Sequence, residues 1–137
     1  MASKNKTPRL DNAEAPETFR LLGYKRSSLG TPSVFYLPAK KINSEKNSEV
    51  RRELHEFLLS KFGGYTTERG EIHGYWIDGT VIEYDENVKY TVALGDASKI
   101  KVLELFVADV GKKLGEKAIY FETGKDSWLI HTGIANG

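Results

Sequence analysis

The period of the apolar positions changes several times along the chain, and each change marks an element. Val34-Phe35-Tyr36-Leu37 is a short run of β-formers closed by Pro38, which predicts a strand. Val50, Leu54, Phe57, Leu58 and Phe62 then recur at helical spacing, with Arg52 and Glu56 as an i,i+4 pair on the wet side. Gly63-Gly64 stops that helix, because glycine takes the left-handed conformation after a helix without a Cβ penalty.

Between Tyr65 and Leu94 the period falls to two. Asp78-Gly79 predicts a tight hairpin, since both central residues of a type I′ turn need positive φ. A turn centred there sets Ile77 against Thr80, Tyr75 against Ile82 and His73 against Tyr84. Val88, Tyr90, Val92 and Leu94 alternate with Lys89, Thr91 and Ala93, as a half-buried strand does. The polar Asp85-Glu86-Asn87 interrupts this pattern and predicts a bulge or bend. Asp96 is placed to cap a second helix, with Ile100, Leu103, Phe106 or Val107, Val110 and Leu114 as its buried stripe and Gly115 at its end. Ala118–Thr123, a Gly124-Lys125-Asp126 turn and Ser127–Thr132 make a terminal hairpin. The predicted order is β-α-β-β-α-β with an extra C-terminal strand. That is the α+β, ferredoxin-like arrangement, an antiparallel sheet with two helices on one face.

Residues 1–32 stand outside the pattern and read as a flexible or docking N-terminal arm before a domain over residues 33–137. Met1 to Pro16 has almost no apolar residues and two prolines, which predicts disorder. Phe19, Leu21, Leu22 and Tyr24 are apolar enough to dock on the domain or on a partner. Ser27-Ser28 beside Lys25-Arg26 has the form of a basophilic modification site. The early lysines are not followed by an apolar run, so no secretory signal is expected, and no stretch of ~18 apolar residues predicts a membrane-spanning helix. With no cysteine in 137 residues, disulfides, zinc ribbons, iron–sulfur clusters and thiol nucleophiles are excluded, and a cytoplasmic address is expected.

The formal net charge is only +1, which argues against a protein that coats DNA or an anionic membrane. The charge is unevenly spread. Residues 1–30 carry six bases and three acids, residues 31–64 six and four, and residues 65–137 eight and twelve. Lys40, Lys41, Arg51 and Arg52 are the local basic patch through which an RNA or nucleotide could bind.

Candidate chemistry gathers on the strands. His55, His73 and His131 are the only side chains that titrate near neutrality unaided, and none sits at metal-ligand spacing, so neither a metal nor a cofactor is predicted. His55 reads as a helix-edge residue. His73, Tyr75, Glu83 and Glu122 could serve acid–base chemistry if a pocket on the open sheet face gathers them. Trp76 and Trp128, with Arg69, Tyr90 and His131, are candidates for ligand binding, since tryptophan on a strand is either core or an interface. The signature of single-strand RNA binders that share this topology is absent: the central strands read Tyr65-Thr66-Thr67 and Lys89-Tyr90-Thr91-Val92. No phosphate-cradling glycine loop or nucleophile elbow occurs.

Two family resemblances follow from these segments. Phe62-Gly63-Gly64-Tyr65-Thr66, Gly74-Tyr75-Trp76 before Asp78-Gly79, Glu83 and Ala118-Ile119-Tyr120 resemble an uncharacterised group of small bacterial ferredoxin-like proteins across residues 33–132. That resemblance implies a fold and no activity. Asn87-Val88-Lys89-Tyr90, Gly115-Glu116-Lys117-Ala118-Ile119-Tyr120 and Leu129-Ile130-His131-Thr132-Gly133 are more weakly similar, in order and spacing, to the PII-like signalling proteins. This second resemblance implies a trimer that binds adenine nucleotides between subunits. Lys117 and Ala118 stand where that family has a glycine and a lysine, and Leu129 and His131 where it has arginines, so its phosphate contacts are missing. The expectation is a non-catalytic, regulatory small-ligand- or partner-binding module, homo-oligomeric through its uncovered sheet face. A small enzyme or an RNA or nucleotide binder are the alternatives.

Overall fold

The computed structural model describes residues 23, 27–70, 72–124 and 126–134, without the side chains of Asp78 and residues 126–129. The cluster Phe19, Leu21, Leu22 and Tyr24, and the Lys25-Arg26 pair, lie outside the described residues. The order is β1 (Pro32–Pro38), α1 (Ala39–Ile42), a 3-10 turn (Glu45–Asn47), α2 (Ser48–Phe62), β2 (Thr66–Glu68), β3 (His73–Asp78) and β4 (Val81–Ala93). A second 3-10 turn (Ala97–Lys99), α3 (Ile100–Lys113), β5 (Ala118–Thr123) and β6 (Asp126–His131) complete it. The strands run antiparallel in the order β2-β4-β1-β5-β6, with β3 also on β4. This is the ferredoxin-like α+β arrangement with one added edge strand, β6. Among the described residues no helix is long and apolar enough to cross a membrane.

Alternation along the strands builds the core. Phe35 and Leu37 of β1, Val88, Tyr90 and Val92 of β4, and Ile119 and Phe121 of β5 are buried with Leu54 and Leu58 of α2 and Leu103, Val107 and Val110 of α3. Phe57 of α2 stacks on Phe106 of α3 with ring centroids 3.7 Å apart, so the two helices are joined as well as covering the sheet. Both Phe106 and Val107 thus serve the α3 stripe, one against α2 and one in the core. Asp96 accepts from the Ser98 backbone N–H at 2.8 Å, starting the 3-10 turn that leads into α3. Gly63 ends α2 at φ +85°. On α3, Gly111 lets the helix approach β5: a Cβ there would lie 2.8 Å from Ile119 Cγ1.

Two expectations about the long hairpin are corrected. The turn is Gly79-Thr80, one residue later than expected, with Gly79 at φ +66° and Asp78 paired with Val81. Ile77 therefore faces Ile82, Tyr75 faces Tyr84 and His73 faces Glu86. Each partner moves by two positions, so every side chain keeps its expected face. The second correction concerns the bulge, which does not fall at Asp85-Glu86-Asn87. β4 pairs without interruption with β3 through Glu86 and with β1 from Asn87 onward. The irregularity is on the opposite strand, where the segment joining Glu68 to Ile72 spans two more residues than the stretch of β4 it faces. Gly70, at φ +99°, absorbs that change of direction.

One packing defect sits in the core. Ser33 of β1 and Thr123 of β5 face each other in register, and both hydroxyls are buried without a hydrogen-bond partner among the described residues. An unmatched buried hydroxyl costs desolvation with no return. Thr123→Val keeps the shape and removes one of them, so it is expected to raise the unfolding free energy by about 1 kcal/mol in urea titration.

Candidate ligand-binding site

β4 is long because it serves two partners. Its Asn87–Ala93 half lies in the main sheet, while Val81–Glu86 continues past the end of β1 as a two-stranded ribbon with β3. One face of the ribbon carries Tyr75, Ile77, Ile82 and Tyr84, all more than half exposed. On this face the Tyr84 hydroxyl hydrogen-bonds His73 Nδ1, and Tyr84 packs on Tyr75 with centroids 5.2 Å apart. Desolvation, helped by Tyr75 and Glu86, pushes the Tyr84 hydroxyl above its usual pKa, so it stays protonated at neutral pH.

The other face carries Gly74, Trp76, Glu83 and Asp85. Trp76 Nε1 donates to Asp85 Oδ2 at 3.0 Å, which fixes the indole across the ribbon. Gly74 makes room for it, since a Cβ there would meet the indole ring at 3.4 Å and Asn87 Nδ2 at 3.1 Å.

This second face walls a hollow of about 240 Å³ on the helix-free side of the sheet. Tyr36, Pro38 and Tyr120 form its floor, Trp76, Glu83, Asp85 and Asn87 one wall, and Glu116 and Lys117, just before β5, the other. A second hollow of about 200 Å³ adjoins it, sharing Tyr36, Trp76, Asn87 and Tyr120 and adding His73, Gly74 and Glu122. Tyr36 and Tyr120 stack with centroids 5.5 Å apart, and the Tyr120 hydroxyl donates to Glu122 at 2.9 Å. Burial raises the Tyr36 hydroxyl above its usual pKa; Lys89 opposes that shift and Glu122 adds to it, so the group is a neutral donor. Glu116 is neutralised by Lys41 at 2.5 Å. Glu83 and Asp85 have no cationic partner among the described residues. The hollow therefore combines aromatic faces with two carboxylates outside any ion pair among the described residues, Glu83 and Asp85, and with Lys117 in the opposite wall.

The sequence candidates separate in space. His73 and Glu122 line the smaller hollow, Glu83 the larger, and Tyr75 lies on the opposite face of the ribbon. Trp76 stands between the two hollows. Trp128 pairs with Phe121, and its side chain is outside the described residues. His131 is exposed on β6 opposite Ala118 and lines neither hollow. Arg69 and Tyr90 sit on the helix side of the sheet with Arg51, Arg52 and His55. The basic patch is divided: Lys41 pairs with Glu116, and Arg52 pairs with Glu49 and Glu56.

Tyr36 and Tyr120, the floor of the site, were not evident as functional residues, although alternation marks them. Each lies between two core residues, Phe35 and Leu37 or Ile119 and Phe121, and so points to the uncovered face. Among the described residues no group of three or more His, Cys, Asp or Glu side chains could hold a metal ion.

No protein-family model matches the chain, and no curated protein matches it in sequence. Its fold is similar to that of a phage SAM lyase. The apo form aligns with a TM-score of 0.55 at 8% identity over 82% of this chain and 98% of the lyase. The lyase in complex with S-methyl-5′-thioadenosine aligns with a TM-score of 0.52 at 9% identity over 79% and 94%. At such identities the likeness is one of fold.

Proposed function

We propose that the protein binds a small cationic nucleoside of the S-adenosylmethionine type in the hollow between the ribbon and the helix-free sheet face. The observation that carries this reading is the lining itself: Trp76, Tyr36 and Tyr120 offer ring faces while Glu83 and Asp85 leave negative charge unmatched. An aromatic base stacks on such rings, and a sulfonium or ammonium centre gains from both the ring quadrupoles and the carboxylates. The shared fold with a phage SAM lyase in complex with S-methyl-5′-thioadenosine supports the choice of ligand class.

The first reading is of a binding module; a small enzyme is the second, favoured by His73 and Glu122, which share the smaller hollow, with Glu83 in the adjoining one, while Tyr75 lies on a separate face. Calorimetric titration of the full chain with S-adenosylmethionine, S-methyl-5′-thioadenosine and adenosine tests it. Saturable binding is expected, strongest for the cationic sulfonium. Equal silence from all three would remove the proposal, and a new product in chromatograms of the incubated mixture would replace the binding module with an enzyme.

A further inference from the structure

The helix side of the sheet carries a site of opposite charge. A hollow of about 410 Å³ opens between the first half of α2 and β2, with Arg51, Arg69, His55, Ser48, Thr67 and Tyr90 among its lining residues. Arg52 also reaches it, but its guanidinium is matched by the carboxylates of Glu49 and Glu56. Arg51 and Arg69 differ. Arg51 Nη1 donates to the Ile42 and Ser44 carbonyls at 2.7 and 3.2 Å, and Arg69 Nη1 donates to Asn43 Oδ1 at 3.1 Å. All three acceptors are neutral oxygens, and no carboxylate lies within 4.0 Å of either guanidinium among the described residues. Each arginine is thus held in place by one terminal nitrogen, keeping its charge and its remaining N–H donors.

The turn that supplies those acceptors is itself fixed. Asn47, buried, donates to the Lys41 carbonyl at 2.8 Å and to Ser44 Oγ at 3.2 Å.

A second observation points to a ligand. Tyr90, which is 3% exposed overall, also lines the hollow, and its hydroxyl makes no hydrogen bond among the described residues. Its ring is held by Phe35 at 4.9 Å and Tyr65 at 6.0 Å. Burial pushes the hydroxyl up to about 12, with Arg69 and Arg51 pulling the other way, so at neutral pH it is a protonated donor. At the rim, His55 Nδ1 is 2.7 Å from the Tyr65 hydroxyl, which orients the imidazole and leaves Nε2 outside that bond.

We propose that this hollow binds the phosphoryl group of a phosphorylated small molecule through Arg51, Arg69 and the Tyr90 hydroxyl. Two uncompensated guanidiniums match a dianion, and their planar forks suit phosphoryl oxygens. A space of this size holds more than an inorganic ion, since small-molecule sites begin at about 300 Å³. The site is on the other side of the sheet from the nucleoside hollow, and its test is independent of that reading.

The experiment is calorimetric titration of the full chain with phenyl phosphate, inorganic phosphate and a short single-stranded RNA at low chloride, using Arg69→Gln, Tyr90→Phe and Lys101→Gln. Lys101 is a well-exposed lysine on α3 whose loss changes net charge equally. Phenyl phosphate is expected to bind once per chain and more tightly than phosphate. Arg69→Gln should weaken it at least about tenfold and Tyr90→Phe about threefold, with Lys101→Gln unchanged. Tyr90→Phe removes only an unpartnered hydroxyl and keeps the core, so it tests the site even if Arg69→Gln loosens the 3-10 turn. Absence of phenyl phosphate binding, equal losses in Arg69→Gln and Lys101→Gln, or tighter capture of RNA than of phenyl phosphate would each overturn the proposal.

Discussion

Gly30→Ala is expected to lower the unfolding free energy by about 3 kcal/mol, against about 1 kcal/mol for Gly63→Ala. Both glycines have φ +85°, so the backbone strain of placing an L-residue there is common to the two. Their surroundings differ. A Cβ on Gly63 would meet nothing within 4 Å, whereas one on Gly30 would fall 2.0 Å from the Gly95 carbonyl oxygen and 2.3 Å from its carbon. Those atoms are backbone and cannot swing aside. The two segments are tied by Gly95 N–H to the Leu29 carbonyl at 2.8 Å and Leu94 N–H to the Thr31 carbonyl at 2.9 Å. Separating them sacrifices both bonds, at roughly 1 kcal/mol each, in addition to the shared strain. Urea unfolding of the two variants side by side reads the difference, and equal losses would mean that the segments do not touch in solution.

The period of apolar residues was enough to reach the sheet and both long helices, because each must bury one face and only one spacing does so. Val88, Tyr90 and Val92 needed no further information to be placed in the core. The exact register of the ribbon did need more. Asp78-Gly79 and Gly79-Thr80 both put Gly79 in a two-residue loop, and with both faces of the ribbon outside the main core no burial pattern chooses between them. The bulge was misplaced for a related reason. Polar residues at Asp85-Glu86-Asn87 looked like an interruption, but Asp85 and Asn87 line a hollow and Asp85 holds the Trp76 indole, so a continuous strand can carry them.

The site was legible only in pieces. Trp76, His73, Glu83 and Glu122 carry recognisable chemistry, but their grouping depends on which end of the sheet the ribbon leaves. Long-range pairing decides that, here the end of β1 at Pro38 opposite Asn87. The uneven charge of the sequence acquires a spatial meaning in the same way. Unmatched arginines gather on the helix side and unmatched carboxylates on the open side, and a net charge of +1 conceals two hollows of opposite sign.

Asp85→Asn should weaken binding of the proposed sulfonium nucleoside about tenfold and leave its neutral thioether counterpart nearly unchanged, whereas Trp76→Ala should weaken both about tenfold or more. The substitutions separate two contributions that occupy the same wall. Asparagine keeps an oxygen able to accept from Trp76 Nε1, so the indole stays in place while the charge disappears. Only a ligand that carries a positive centre senses that loss, and solvent at the mouth of the hollow keeps the effect well below that of a fully buried pair. Trp76→Ala instead removes the stacking surface, which any aromatic base uses, at about 1–3 kcal/mol per base. Trp76 is 36% exposed and outside the main core, so circular dichroism of the variant should be that of the parent. Calorimetric affinities for the charged and neutral ligands then form a two-by-two comparison. If Asp85→Asn weakened both ligands alike, its carboxylate would be a support for the indole and not a counter-charge, and the preference for a cation would have to come from Glu83 alone.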